Sequence, residues 1–181
     1  MIETSPTAAA IRVWAARRHL PETHLERWLA LDEADAGALM GVAEELHLRT
    51  GQLASALELL EEIAIREHRT IGSILADNNV RRITKGPGSA PGRARSLLEK
   101  LRAMRYPRLT STLNRINAEV ADLKLPSNLH LLLPKDLSSD ELTIQLTLRS
   151  PSQLEAAIRA LDERKPKLAR ILELMCGEHE L

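Results

Sequence analysis

A chain of 181 residues that contains no phenylalanine, and only Trp14, Trp28 and Tyr106 as aromatic residues, has to build its core from leucine, isoleucine, valine and alanine. Sheets draw heavily on aromatic and β-branched side chains, whereas Leu and Ala are strong helix formers, so this inventory favours packed helices over a β-sandwich. Apolar residues make up 44% of the chain, enough to bury the core of one medium domain or two small ones. No apolar run approaches the roughly 18 residues that cross a bilayer. The opening stretch MIETSPTAAAIRVWAARR lacks the basic start and apolar core of a secretory signal, so a cytoplasmic location and no membrane partner are expected. A single cysteine, Cys176, excludes an internal disulfide, and its expected place is partly buried on the last helix.

The apolar spacing over residues 8–83 has a helical period, with breaks expected at Pro21, at 32–35, at 47–51 and at 70–72; this predicts four or five helices. Within it, QLASALELLEEIAIR (52–66) places Leu53, Ala56, Leu57, Leu60, Ile63 and Ala64 on one stripe and Glu58, Glu61 and Glu62 outside it, an amphipathic helix. The segment KGPGSAPG (85–92) holds three glycines and two prolines, so a linker is expected there between a helical domain (1–84) and a C-terminal unit (93–181). That unit begins with a basic helix over 94–104 and a second helix over 110–123, with Pro107 at its start and Pro126 after its end. Residues 142–149, LTIQLTLR, alternate strictly and predict a strand that pairs with the apolar run 129–133 through the turn residues PKDLSSDE. Ser150 then offers a cap and Pro151 a first helical position, ahead of Leu154, Ala157, Ile158 and Leu161; Pro166 is a candidate break. The fold class is mainly α: an N-terminal helical bundle, then a small α+β unit of helix, two-stranded antiparallel hairpin and helix.

Net charge is zero, but it is unevenly distributed along the chain. Residues 1–80 hold 7 Lys/Arg against 13 Asp/Glu, a net of −6, and residues 118–181 hold 8 against 11, a net of −3. Between them, residues 81–117 carry Arg81, Arg82, Lys85, Arg93, Arg95, Lys100, Arg102, Arg105, Arg108 and Arg115 against Glu99 alone, a net of +9. A block of this sign releases counterions when it neutralises phosphates, which favours nucleic acid as partner, and Tyr106 lies among the arginines as a candidate base-stacking residue. The same block is also able to pair with the acidic helices of its own chain. Both readings are carried forward.

A second nucleic-acid feature lies over residues 38–60, ALMGVAEELHLRTGQLASALELL. Val42, Ala43 and Leu46 line one helix, Leu48 is the apolar residue of a turn, and Leu53, Leu57 and Leu60 anchor a second helix. In a helix-turn-helix the start of the second helix faces the major groove, here with Arg49, Thr50, Gln52 and Ser55. His47 stands where such a turn favours glycine, because that position takes positive φ, and Glu58, Glu61 and Glu62 farther along would repel phosphate.

No chemistry-bearing motif accompanies these features. The six histidines are scattered in sequence, GPGSAPG lacks the Lys-Ser/Thr ending and flanking strand of a phosphate loop, and no nucleophile-base arrangement stands out. The sequence therefore predicts no enzyme, no catalytic residue, no metal site and no cofactor.

Three stretches resemble the ParB-like chromosome and plasmid partition proteins. VAEELHLRTGQLASALELLEEIA (42–64) is similar to that family's helix-turn-helix and following helix, while KLRAMRYPRL (100–109) and ELTIQLTLRSPSQLEAAIRAL (141–161) look like its C-terminal portions. The resemblance implies a C-terminal module of helix, two strands and helix that dimerises and binds DNA non-specifically, and a DNA-reading role for Arg49, Thr50, Gln52 and Ser55. Nothing here matches the family's nucleotide-binding domain with its arginine-rich motif, so clamp formation and CTP hydrolysis are not implied, and a shortened or split member is expected. The leading expectation is a non-enzymatic DNA-associated protein of partition or regulatory type, a homodimer through its C-terminal unit. The rival is a protein-protein interaction module whose basic segment closes on its own acidic helices.

Overall fold

A computed structural model describes residues 5–134, 137 and 141–177. Among them the chain is mainly helical and divides into two compact units, one through Arg105 and one from Tyr106.

The first unit contains α1 (Pro6–Arg18), α2 (Glu22–Leu29), α3 (Glu33–Glu45), α4 (Thr50–Glu67), α5 (Ile71–Leu75), α6 (Asn78–Lys85) and α7 (Ala90–Arg105). Six helices thus stand where four or five were expected before residue 85. The extra break falls at Ala76–Asp77, where the Asp77 carboxylate accepts from the Asn79 N–H at 2.9 Å and starts a new helix. The α4 stripe is the axis of the core: Leu53, Ala56, Leu57, Leu60 and Ile63 are completely buried, and each large aliphatic side chain there contributes about 1.5–3 kcal/mol through removal from water. The two tryptophans meet edge to face, ring centroids 5.6 Å apart, and Trp28 Nε1 donates to the Ala36 carbonyl at 3.2 Å.

The glycine- and proline-rich segment is a turn inside this unit. Only residues 86–89 lie outside helices, and α7 packs along α4 and α6 with Ala94, Leu97, Leu98 and Leu101 buried in the common core. Pro91 and Gly92 fall in the first turn of α7, where a missing or unsatisfied N–H costs little. Gly86 ends α6 so tightly that a Cβ would stand 2.2 Å from the Arg82 carbonyl oxygen. The division therefore comes after Arg105, well beyond the linker expected at 85–92. The basic helix expected at the start of the C-terminal unit belongs to the first.

Asp35 is the one buried carboxylate of this unit among the described residues, 9% exposed. Its oxygens accept the N–H groups of Ile71 at 2.9 Å and Gly72 at 2.6 Å, so α3 satisfies the start of α5. Histidines close three of the turns: His19, His47 and His68 take φ of 53°, 50° and 52°, the left-handed conformation usually left to glycine or asparagine.

The second unit contains α8 (Pro107–Asp122), β1 (Leu129–Leu132), β2 (Thr143–Leu146) and α9 (Pro151–Cys176). The strands pair antiparallel, Leu129 opposite Leu146 and Leu131 opposite Ile144, so the alternating apolar residues share one face. Most of the turn expected over PKDLSSDE (134–141) lies outside the described residues, as does His179. Ser150 caps α9 by accepting the Gln153 N–H at 3.4 Å, and Pro151 follows at the first position. Pro166 does not break α9. The helix is tied to α8 on both sides of the proline, by Arg164 Nε to the Leu123 carbonyl at 2.7 Å and by the Lys167–Asp122 ion pair. Cys176, expected partly buried, is exposed. Among the described residues, no helix is long and apolar enough to cross a membrane.

Candidate nucleic-acid interface

At the α3–α4 turn Ala43, Leu46, Leu48, Leu53, Leu57 and Leu60 are buried, Val42 is half-buried, and His47 takes a φ of 50°. The turn is clamped by α1: Arg18 Nη1 donates to the Leu48 carbonyl at 3.1 Å, and the Thr50 hydroxyl donates back to the Arg18 carbonyl at 2.8 Å. Gln52 Oε1 accepts the Arg49 N–H at 3.0 Å and so helps cap its own helix. Of the four residues singled out in the sequence, Thr50 and Gln52 are thus engaged in holding the turn, Ser55 is half-buried, and Arg49 is exposed with no side-chain partner among the described residues.

The ten basic residues of 81–117 are divided between the units. Arg108 and Arg115, on α8, belong to the second. In the first, three are paired: Lys85 and Arg93 both reach Glu45, the latter at 3.5 Å, and Arg105 pairs with Glu62. Lys85, hydrogen-bonded to Glu45 and adding its charge, holds that carboxyl below its usual range; Arg93 adds a smaller attraction and desolvation opposes both. Arg81, Arg82, Arg95, Lys100 and Arg102 have no ion-pair partner among the described residues. Counted over residues 1–105, the unit carries 15 Lys/Arg and 14 Asp/Glu, so the sequence's acidic and basic blocks are largely two parts of one nearly neutral body.

A lowered carboxyl pKa stabilises the fold at pH above the unfolded value, and this contribution is lost as pH falls through the folded value. Glu45→Gln is therefore expected to unfold at a lower temperature than the wild type at pH 7, with the two midpoints converging as the solution is acidified through the carboxylate range. Thermal denaturation followed by circular dichroism at a series of pH values reads this directly.

Arg49, Arg95 and Arg102 come together at the start of α4, where α7 runs alongside it. With His47 and Gln52 they line a groove of about 220 Å³ that has no carboxylate on its walls. Arg81, Arg82 and Lys85 border a separate open depression beside α6. Three guanidinium groups facing one space, without acids to neutralise them, suit a ligand with repeated negative charge, since arginine forks match phosphate oxygens bidentately. Arg49 and the α7 arginines stand apart in the sequence and meet only through packing; Arg18, which ties the turn to α1, is signalled there only by its place in the pair Arg17-Arg18.

Comparison with protein-family models, with curated proteins and with solved structures finds no match to this chain.

Proposed function

We propose that the protein is a non-enzymatic DNA-associated protein of partition or regulatory type, similar in plan to the ParB-like proteins, that holds the phosphate backbone on its first unit and pairs with a second copy through its second. The observation that carries this is the groove lined by Arg95 and Arg102 of α7 and by Arg49, which stands just before α4, with no acid in its lining. The α3–α4 turn, with His47 in the left-handed conformation, stands at its edge and supports the reading of a helix-turn-helix. For the second unit, support comes from a sheet that has two strands among the described residues, each with an outer edge no other described strand pairs, together with Leu132, Ile144, Leu148, Leu154 and Ile158, all of which stay exposed within that unit. A hairpin of two strands is marginal alone, and an identical edge is the partner always present at equal concentration.

The rival reading, an interaction module that spends its basic residues on its own acidic helices, is supported by the pairing of Lys85, Arg93 and Arg105 with Glu45 and Glu62. It accounts for those three and leaves the groove arginines unexplained. Binding of random duplex DNA across a salt series separates the two. Three phosphates neutralised in the groove give log K falling with log salt at a slope of about −2.7. An absence of binding even at low salt would favour the interaction module.

A further inference from the structure

The groove between α4 and α7 borders a second depression at His47. This one, of about 460 Å³, lies between α1 and α3 and is lined by Arg17, Arg18, Glu44 and His47 together with Val13 and Trp14. His47 belongs to both walls, and its left-handed backbone forms the crest of the α3–α4 turn between them. Arg17 is exposed and has no ion-pair or hydrogen-bond partner among the described residues. Arg18 is fixed, by its bond to the Leu48 carbonyl and by stacking 5.2 Å from the centroid of the Trp14 ring. Along the two depressions stand Arg17, Arg18, Arg49, Arg95 and Arg102, with Glu44 the one carboxylate.

We infer that the two depressions form one continuous track for a nucleic-acid phosphodiester backbone, crossing the α3–α4 turn at His47, with Arg17 and Arg18 of α1 as phosphate-binding residues alongside Arg49, Arg95 and Arg102. The inference rests on the reading that the protein binds nucleic acid and extends it to a helix that reading did not include. The track favours duplex over single strand. A single strand is held largely by successive bases stacked on exposed aromatic rings; along this track Trp14 is 7% exposed and already covered by Arg18, which leaves the His47 imidazole as the single exposed ring, too few to hold a run of bases. What remains is charge spaced along a groove, which recognises the sugar-phosphate backbone and no particular base.

The test is fluorescence anisotropy of the full chain with a labelled random duplex, and with a single strand of the same length, over a salt series. Arg17→Ala removes a side chain with no structural bond, and Arg95→Ala with Arg102→Ala removes two from the other end. Duplex should bind more tightly than single strand. Arg17→Ala should lower the steepness of the salt dependence by about 0.9 and the double substitution by about 1.8, the values for one and two phosphates lost, with circular dichroism unchanged. If the double substitution weakens binding and Arg17→Ala leaves affinity and slope unaltered, the extended track is overturned while the nucleic-acid reading stands. Tighter binding of the single strand overturns the duplex geometry, and a wild type that binds neither overturns both.

Discussion

Asp35→Ala is expected to lower the thermal unfolding midpoint of the first unit by about 10 °C or more. The substitution removes the acceptor of two backbone N–H groups, on Ile71 and Gly72 at the start of α5. The Ile71 group is buried and the Gly72 group partly so, and an orphaned buried donor costs about 1–3 kcal/mol. With about 4–8 °C lost per kcal/mol in a domain near this size, the two together reach the predicted shift. Asp35→Asn keeps one amide oxygen but turns an NH2 toward the second donor, so it should fall between the wild type and the alanine variant. Calorimetry on the three proteins gives the order; an alanine variant as stable as the wild type would mean that α5 is held by its apolar residues Ile71, Ile74 and Leu75 alone.

The second large effect concerns assembly. Ile144→Asp combined with Ile158→Asp should convert a dimer to a monomer at micromolar concentration while each copy keeps its fold. Ile144 is 40% and Ile158 58% accessible within the unit, so a carboxylate at either place is solvated in the monomer and desolvated only in a closed pair. On the hairpin Leu129 is buried and Leu131 packs against the apolar cluster of the unit, and the substitutions leave both alone. Loss of pairing should also weaken duplex binding, about a hundredfold if both copies engage one duplex, because the second contact then gains from effective concentration. Sedimentation and anisotropy on the same samples show whether the two losses come together. A wild type that sediments as a monomer, or a double variant that remains a dimer, removes the second unit as the place of assembly.

Much of the fold was legible because it is written in local periodicity. The α4 stripe from Leu53 to Ile63 has one reading at a spacing of three and four, and LTIQLTLR has one at a spacing of two. The cap at Ser150 was legible for the same reason, since donor and acceptor lie within three residues. What escaped depends on partners far apart in the chain. Asp35 reads as one more acid in a helical turn until Ile71 and Gly72 are brought to it. Residues 85–92 read as a linker because glycine and proline disfavour regular structure locally, while the force that keeps α7 in the first unit is the burial of Leu97 and Leu101 against α4. The site was half visible. Each arginine was conspicuous by its charge, yet that Arg49 shares a groove with Arg95 and Arg102, and that Lys85, Arg93 and Arg105 do not stay unpaired, is decided by packing. His47 is the instructive case: the turn needed positive φ, and a histidine accepted it.

The near balance of 15 basic and 14 acidic residues in the first unit, within a chain of zero net charge, has a practical outcome for anyone handling the protein. Molecules that repel one another weakly, and that carry uncompensated arginines on one surface and surplus glutamates elsewhere, attract their own kind once mobile ions are withdrawn. Such a protein salts in: it should cloud on dialysis into dilute neutral buffer and clear when salt is restored, or when the pH is moved away from neutrality so that all copies acquire the same sign.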